Sequence, residues 1–171
     1  MRHASPMSDP PEPPFERPTW SARVFRDESG NVIEYGNRWP DGPPDWAYGV
    51  TTNVERFAPL HPVATHLVDY LINSYPVSAS EAPDLARTLD GEPPDFVRLV
   101  RLSPDAEDVD TLTVVFTSFP GVVIYAGSRF DEAFPACGCD ACDDTTEDVA
   151  ESLVEHVLAL ANATRGWSQR D

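Results

Sequence analysis

Residues 112–126 read Leu-Thr-Val-Val-Phe-Thr-Ser-Phe-Pro-Gly-Val-Val-Ile-Tyr-Ala, and this stretch decides the fold class. Apolar and polar side chains alternate over residues 112–118, which is typical of a half-buried strand. Residues 119–122 fit a tight turn, because proline presets φ and glycine accepts a positive φ. Residues 122–126 then form a further strand. So short a connection predicts that the two strands are antiparallel neighbours.

A third strand and two helices complete the predicted fold. Residues 96–102 are apolar apart from two arginines and supply the first strand. One helix is predicted from Pro62 to Tyr75, since proline suits the first helical position. A closing helix follows Asp144 as N-cap, with Glu147 as its reciprocal partner. We therefore expect an α+β fold, a three-stranded antiparallel meander with two main helices packed on one face.

Shorter elements are predicted between these parts. Residues 52–55, Thr-Asn-Val-Glu, match a capping box that opens a short helix, which Pro59 should end. Residues 76–94 are rich in proline and predict a connection with at most one helical turn. Residues 20–35 suggest a hairpin around a Ser-Gly-Asn turn. The aromatic side chains of residues 38–46 either form a ligand platform or, more often, pin an irregular loop onto the domain.

The N-terminal segment differs in composition from the rest. Residues 1–18 hold six prolines and one large apolar side chain, Phe15. Such a segment buries too little surface to offset its ordering entropy, so we expect a disordered Pro-rich tail. Residues 19–171 are expected to form a single α+β domain.

Charge restricts the classes of partner. The chain has 29 acidic residues, 12 arginines and no lysine, for a formal net charge of −17. This charge disfavours binding of nucleic acids or anionic membranes. No apolar run approaches the roughly 20 residues that span a bilayer, and the N-terminus does not resemble a secretory signal. We expect a cytoplasmic protein, a compartment in which structural disulfides are rare.

All three cysteines lie in residues 137–142, Cys-Gly-Cys-Asp-Ala-Cys, which we call the cysteine turn. Spacings this short can direct several thiols at one soft metal ion, and zinc is the candidate. The predicted metal ligands are Cys137, Cys139 and Cys142. Zinc normally takes four ligands. The candidates for the fourth are Asp140, Asp143, His61 and His66.

Two further interpretations of the cysteine turn stay open. The thiols can serve packing alone, or they can carry redox chemistry. A reactive dithiol needs a depressed thiol pKa, typically from nearby cations or a helix N-terminus. Residues 131–164 contain nine carboxylates and no arginine, which argues against that chemistry. His156 lies too far along the closing helix to join the turn, and we expect it to be a hydrogen-bonded core histidine.

No sequence motif identifies a reaction. Phosphate-binding, dinucleotide-binding and nucleophile-elbow motifs are all lacking, and no catalytic residue is predicted. The first hypothesis is a small acidic binding or interaction domain whose cysteine turn is structural or metal-binding. One alternative is an acidic inhibitor or immunity-type protein that engages a basic partner. The other is a thiol redox protein. The sequence predicts no oligomeric state.

Three blocks carry a resemblance to a known family. They are residues 52–61, residues 119–127 and residues 137–143, which begin with the cysteine turn. Each is similar to a stretch of an uncharacterised family of small actinobacterial proteins, a domain of unknown function. The resemblance extends over about residues 46–160. It implies an actinobacterial origin, a cytoplasmic location and a cysteine turn that is a family trait, but no activity, ligand or catalytic residue.

Overall fold

A computed structural model of the chain describes residues 14–81, 83–91, 93–107, 109–163 and 167. The main elements are α1 (Leu60–Ser74), β1 (Val77–Glu81), β2 (Phe96–Pro104), β3 (Leu112–Thr117), β4 (Val122–Ala126), β5 (Arg129–Phe134) and α2 (Thr146–Ala163). Short 3-10 helices cover Asp45–Ala47, Val54–Phe57 and Pro83–Thr88. The predicted α+β class is confirmed.

The sheet has five antiparallel strands in the order β1-β2-β3-β4-β5. The prediction of three strands was wrong in number, because it missed the two edge strands, β1 and β5. Four of the five residues of β1 are exposed, and β5 begins with two exposed residues, Arg129 and Phe130. Edge strands of this kind bury too few apolar side chains to show an alternating pattern. The three predicted strands are the central ones.

The main core lies between the sheet and the two helices. Val100, Val114 and Ile124 stand opposite one another across β2, β3 and β4. Leu67 of α1 and Leu153 of α2 belong to the same buried cluster. Both helices therefore cover one face of the sheet, as predicted, and their apolar stripes are buried together.

The opposite face of the sheet is also covered, at its centre. Leu99, Val115 and Val123 form a second buried cluster with Leu89, and Leu85 of the 3-10 helix Pro83–Thr88 packs against it. All six residues of β3 are consequently buried. The expectation of a half-buried strand was wrong, because a segment predicted as a connection supplies this second layer.

The N-terminal cap of α2 also differs from the prediction. The Thr145 hydroxyl accepts the backbone N–H of Asp148 at 3.1 Å and donates to the Asp148 carboxylate at 2.7 Å. Thr145 is therefore the N-cap, because its hydroxyl satisfies the backbone N–H at the third helical position, where Asp148 stands. The predicted pair, Asp144 and Glu147, lies one residue earlier in the sequence. The structure places the boundary one residue later because α2 begins at Thr146.

The helix predicted at Pro62 begins two residues earlier, at Leu60. The short helix before it is confirmed over Val54–Phe57, but its N-terminus carries no side-chain cap. The capping box predicted at Thr52 was therefore wrong. The Thr52 hydroxyl donates instead to the carboxylate of Asp140, 88 residues away in the sequence.

The N-terminal part forms little regular structure. The hairpin predicted over residues 20–35 is reduced to one antiparallel bridge between Arg26 and Val32. Residues 1–13 of the predicted tail lie outside the described residues. Phe15 makes ring contacts with His66 and Tyr70 of α1. The extent of the tail stays a prediction.

Candidate metal centre

The cysteine turn connects β5 to α2 and gathers its three thiols. The sulfur atoms of Cys137, Cys139 and Cys142 all lie within 4.8 Å of one another. Cys139 Sγ and Cys142 Sγ lie 3.5 Å apart, and the Cys139 backbone N–H donates to Cys137 Sγ at 3.4 Å. All three cysteines are free thiols. The short spacing therefore produces the convergence that a soft metal ion requires.

The three thiols differ in exposure and in acidity. Cys139 is buried, whereas Cys137 and Cys142 are exposed as residues. Hydrogen bonds, chiefly from the Cys137 thiol, lower the pKa of Cys139 to about 7. Burial of the sulfur, followed by hydrogen bonding with the other two thiols, raises the pKa of Cys142 to about 12. Since metal ligands must be thiolates, Cys139 is the thiol that is best prepared for coordination at neutral pH.

Asp140 joins the turn to residues 38–56, which we call the anchoring loop. Its side chain is fully buried. The carboxylate accepts the Thr52 backbone N–H at 3.0 Å and the Thr52 hydroxyl at 2.8 Å, and Arg38 Nη1 lies 3.4 Å from Oδ2. The Asp140 carbonyl accepts the indole N–H of Trp39 at 2.8 Å. Asp140 thus anchors the turn, and both of its carboxylate oxygens already have partners.

Asp143 directly follows the turn and keeps one carboxylate oxygen unpaired. Its Oδ2 accepts the backbone N–H of Arg38 at 2.7 Å. Its Oδ1 is buried and has no hydrogen-bond partner among the described residues. The backbone of Asp143 is left-handed, with φ at 53°, a conformation that Asp and Asn tolerate better than most residues. Of the two aspartates predicted as ligands, only Asp143 has an oxygen without a protein partner.

The two histidines predicted as ligands have other neighbours. His61 Nε2 lies 3.0 Å from the Gly121 carbonyl oxygen, and its ring contacts Phe116 edge-on. His66 is exposed on α1 and contacts the ring of Phe15. Among the described residues, the group of converging ligand atoms consists of the three sulfurs alone. The identity of a fourth ligand therefore stays a prediction.

The sequence comparison places the chain in a family. A family model described as a family of unknown function, DUF6226, matches residues 21–167. The chain belongs to the DUF6226 family. This match includes the anchoring loop, the sheet, the cysteine turn and α2, and it confirms the resemblance to a domain of unknown function. Searches of the curated proteins and of the solved structures each found no match.

Arginine side chains reach the cysteine turn of this DUF6226 domain, although the surrounding sequence contains none. Arg56 is buried, and its Nη2 donates to the Gly138 carbonyl at 3.5 Å. Its guanidinium lies 4.2 Å from the Tyr35 ring centroid and 4.3 Å from that of Phe57. Residues 131–164 contain no basic side chain, but the fold brings Arg56 to the turn. Residues distant in sequence supply positive charge, and nothing in the local pattern signals them.

Gly138 is required by the packing of the turn. A Cβ atom at this position would lie 2.5 Å from Cζ of Phe119. Any larger residue would force either the partly exposed Phe119 ring or the turn itself to shift. The glycine between the two cysteines thus lets the turn approach the ring closely.

His156 lies apart from the cysteine turn and stabilises the contact between α2 and β5. Its Nε2 bonds to the Asp131 carboxylate, and its ring contacts Phe134. Asp131 is the extra residue at an irregularity in the register of β5. The expected hydrogen bond is present, but the side chain of His156 is 32% exposed, so it is not a core histidine.

No helix within the described residues has the length and apolarity needed to cross a membrane.

Proposed function

We propose that this DUF6226 domain is a small binding or interaction domain whose cysteine turn binds one zinc ion as a structural clamp. The observation that carries the proposal is the convergence of the Cys137, Cys139 and Cys142 sulfurs within 4.8 Å. Three thiolates form a soft ligand set, which selects zinc over hard cations. A bound dication would also offset the repulsion among the thiolates.

The position of the turn supports a structural role. The cysteine turn lies between β5 and α2, and Asp140 ties it to the anchoring loop. A metal at the three sulfurs would therefore fix a point at which three parts of the chain meet. Because a ligand that binds only the folded state stabilises that state, zinc should raise the free energy of unfolding.

The test is metal analysis of protein purified without a histidine tag. We expect one zinc per chain in the wild type and none in Cys139→Ser. Zinc at a hundredfold excess over its Kd should add about 2.7 kcal/mol to the free energy of unfolding of the wild type and so raise its melting temperature, but leave Cys139→Ser unchanged. The matched control is both proteins in chelator, where their melting temperatures should nearly coincide. Metal-free protein whose thiols resist alkylation until it is denatured would show that the cysteines serve packing alone.

A basic protein partner is the second candidate, and a groove between β5 and α2 favours it. The groove has a volume of about 610 Å³, and its lining residues among those described include no arginine. Four carboxylates line it, those of Glu132, Asp144, Asp148 and Glu155. Such a surface would attract a basic partner, as an inhibitor or immunity-type protein does. Capture of a basic partner by the immobilised protein should be lost at high salt. It should also be lost in the double variant Glu132→Gln, Glu155→Gln, which removes two charges of the groove. The control is the double variant Asp41→Asn, Asp45→Asn outside the groove, which should still capture the partner.

Thiol redox chemistry is a third candidate, favoured by the 3.5 Å separation of the Cys139 and Cys142 sulfurs. In that case the two thiols would form one disulfide, passing two electrons and two protons to a partner disulfide. Rapid alkylation of metal-free protein at neutral pH, and a reversible disulfide between these two residues, would support it.

The cytoplasmic location, the actinobacterial origin and the absence of nucleic-acid partners remain proposals, supported by the composition and the family resemblance.

A further inference from the structure

We propose that zinc at the cysteine turn keeps one coordination position open to solvent, and that this position takes the thiolate of a small thiol. The inference rests on the proposed zinc site and assigns a ligand to it. It would make the turn a thiol-binding centre as well as a clamp.

The ligand count of the site is the first support. Within the described part of the chain, no His, Asp or Glu atom joins the three sulfurs in a group that spans 4.8 Å or less. Zinc in proteins normally has four ligands, and sites with three protein ligands hold an exchangeable ligand in the fourth position. Three converging sulfurs thus match the composition of an open site.

The neighbouring polar groups are held in other contacts. Both Asp140 oxygens accept hydrogen bonds from Thr52, and Asp143 Oδ2 accepts one from the Arg38 backbone. His61 lies 3.0 Å from the carbonyl oxygen of Gly121. Moving Asp140 onto the metal would break the contacts that hold the turn against the anchoring loop. Only Asp143 Oδ1 is free of a partner among the described residues, and the experiment below tests it directly.

The exposure of the cysteines gives a small molecule access to the metal. Cys139 is 8% exposed, whereas Cys137 and Cys142 are exposed residues. The buried sulfur of Cys139 therefore forms the inner side of the site, Cys137 lies at the surface, and Cys142 is an exposed residue whose sulfur is partly buried. A fourth ligand can approach from solvent without any opening of the core.

Arg56 lowers the electrostatic cost of an anionic fourth ligand at the turn. Three thiolates and a dication carry a net charge of −1, and an added thiolate would make it −2. Arg56 is 4% exposed and reaches the Gly138 carbonyl inside the turn. Its Nε is buried without a hydrogen-bond partner, and within the described residues no carboxylate forms an ion pair with it. This buried cation, whose charge also acts on the nearby Asp144 carboxylate, would offset part of the additional negative charge.

The softness of the site favours sulfur over oxygen. A metal already bound by three thiolates prefers a further soft ligand. In the exchange, the sulfur of the thiol replaces a water on the metal, and the thiol proton passes to solvent. No electron is transferred, so the reaction needs no oxidant or reductant.

The test uses the full chain loaded with Co²⁺, titrated with 2-mercaptoethanol and, as the matched control, with ethylene glycol. A fourth thiolate should raise the sulfur-to-cobalt charge-transfer absorption by about one third, because four sulfurs replace three. Ethylene glycol should leave the spectrum unchanged. Metal analysis after each addition shows that the ion stays bound.

The outcomes separate this inference from the zinc site itself. If cobalt binds and the thiol does not change its spectrum, the open position is disproved while the zinc clamp stands. If Asp143→Asn alters the cobalt spectrum of the thiol-free protein, Asp143 is the fourth ligand and the inference is again wrong. Asn suits the left-handed backbone at this position, so this variant should fold. If the wild type binds neither cobalt nor zinc, both proposals fail.

Discussion

The sheet and the cysteine turn are stabilised by different kinds of interaction. Between the sheet and its helices, rows of apolar residues such as Val100, Val114 and Ile124 pack together in one buried cluster. At the turn, a fully buried carboxylate, Asp140, collects hydrogen bonds and an ion pair from the anchoring loop. Apolar burial spreads stabilisation over many contacts, whereas a buried polar network concentrates it in a few.

Because of this difference, substitutions in the two regions should affect stability and metal binding differently. A substitution in the apolar core should lower stability whether or not metal is bound, because it removes apolar contacts and no sulfur ligand. A substitution in the polar network should also weaken the metal site, since the same contacts position the turn. Each prediction below tests one side of this contrast.

The largest expected effect is in the apolar core. Phe116→Ala removes a ring that is 1% exposed, and we expect it to reduce the free energy of unfolding by about 4 kcal/mol. Urea unfolding with zinc and with chelator should give the same loss. Exposed Phe130, on the edge strand β5, supplies the control Phe130→Ala, whose loss should be much smaller. A loss for Phe116→Ala that depends on zinc would contradict the separation of the two regions.

The next effect is at the turn itself. Asp140→Ala leaves Arg38 and the Thr52 N–H without their buried partner, which should cost about 3 kcal/mol. Unlike the core variant, it should also weaken zinc binding, measured by competition with a chelator. Asp45→Ala, at an exposed position of the same loop, is the control and should change neither property. Unaltered zinc affinity in Asp140→Ala would show that the anchoring loop does not position the sulfurs.

The same contrast explains which parts of the fold the sequence predicts. The central strands β2 to β4 and both helices were predictable, because their buried apolar residues form runs or periodic patterns in the sequence. The edge strand β1 was not, since only Val77 of its five residues is buried. The second layer over β3 was also missed, because the proline-rich residues 76–94 resemble an ordinary connection.

At the candidate site, local spacing predicted the convergence of the three sulfurs but not their surroundings. Arg38, Thr52 and Arg56 contact the turn from more than 80 residues away. A contact of this kind leaves no periodicity in the sequence. Thr52 is the clearest example, because its hydroxyl bonds to Asp140 rather than capping the helix that follows it.

The aromatic residues of the anchoring loop behave differently from one another. Trp39 holds the loop against the domain as expected, because its indole N–H bonds to the Asp140 carbonyl, whereas Trp46 is 59% exposed.

A smaller effect is expected where the two regions meet, at the start of α2. Thr145→Ala removes the capping hydroxyl that accepts the Asp148 N–H, and should cost about 1 kcal/mol. The control is Asp144→Ala, since the structure shows no capping bond from that residue. Urea unfolding of both variants in chelator gives the comparison. A greater loss in Asp144→Ala than in Thr145→Ala would restore the N-cap that the sequence predicted.

The smallest effect is expected from an exposed charge pair, which contrasts with the buried network of Asp140. Arg98 Nε donates to Glu81 at 3.1 Å, and this hydrogen bond lowers the pKa of Glu81 below 4.5. Because the folded-state pKa is lower than the unfolded one, the pair stabilises above pH 4.5, and this contribution is lost as the pH falls through the folded value. Glu81→Gln should therefore be slightly less stable than wild type at pH 7, less so at high salt, and equal to it in acid. Exposed Glu107→Gln is the matched control. Unfolding curves that differ from wild type equally at every pH would show that Glu81 acts through packing and not through its charge.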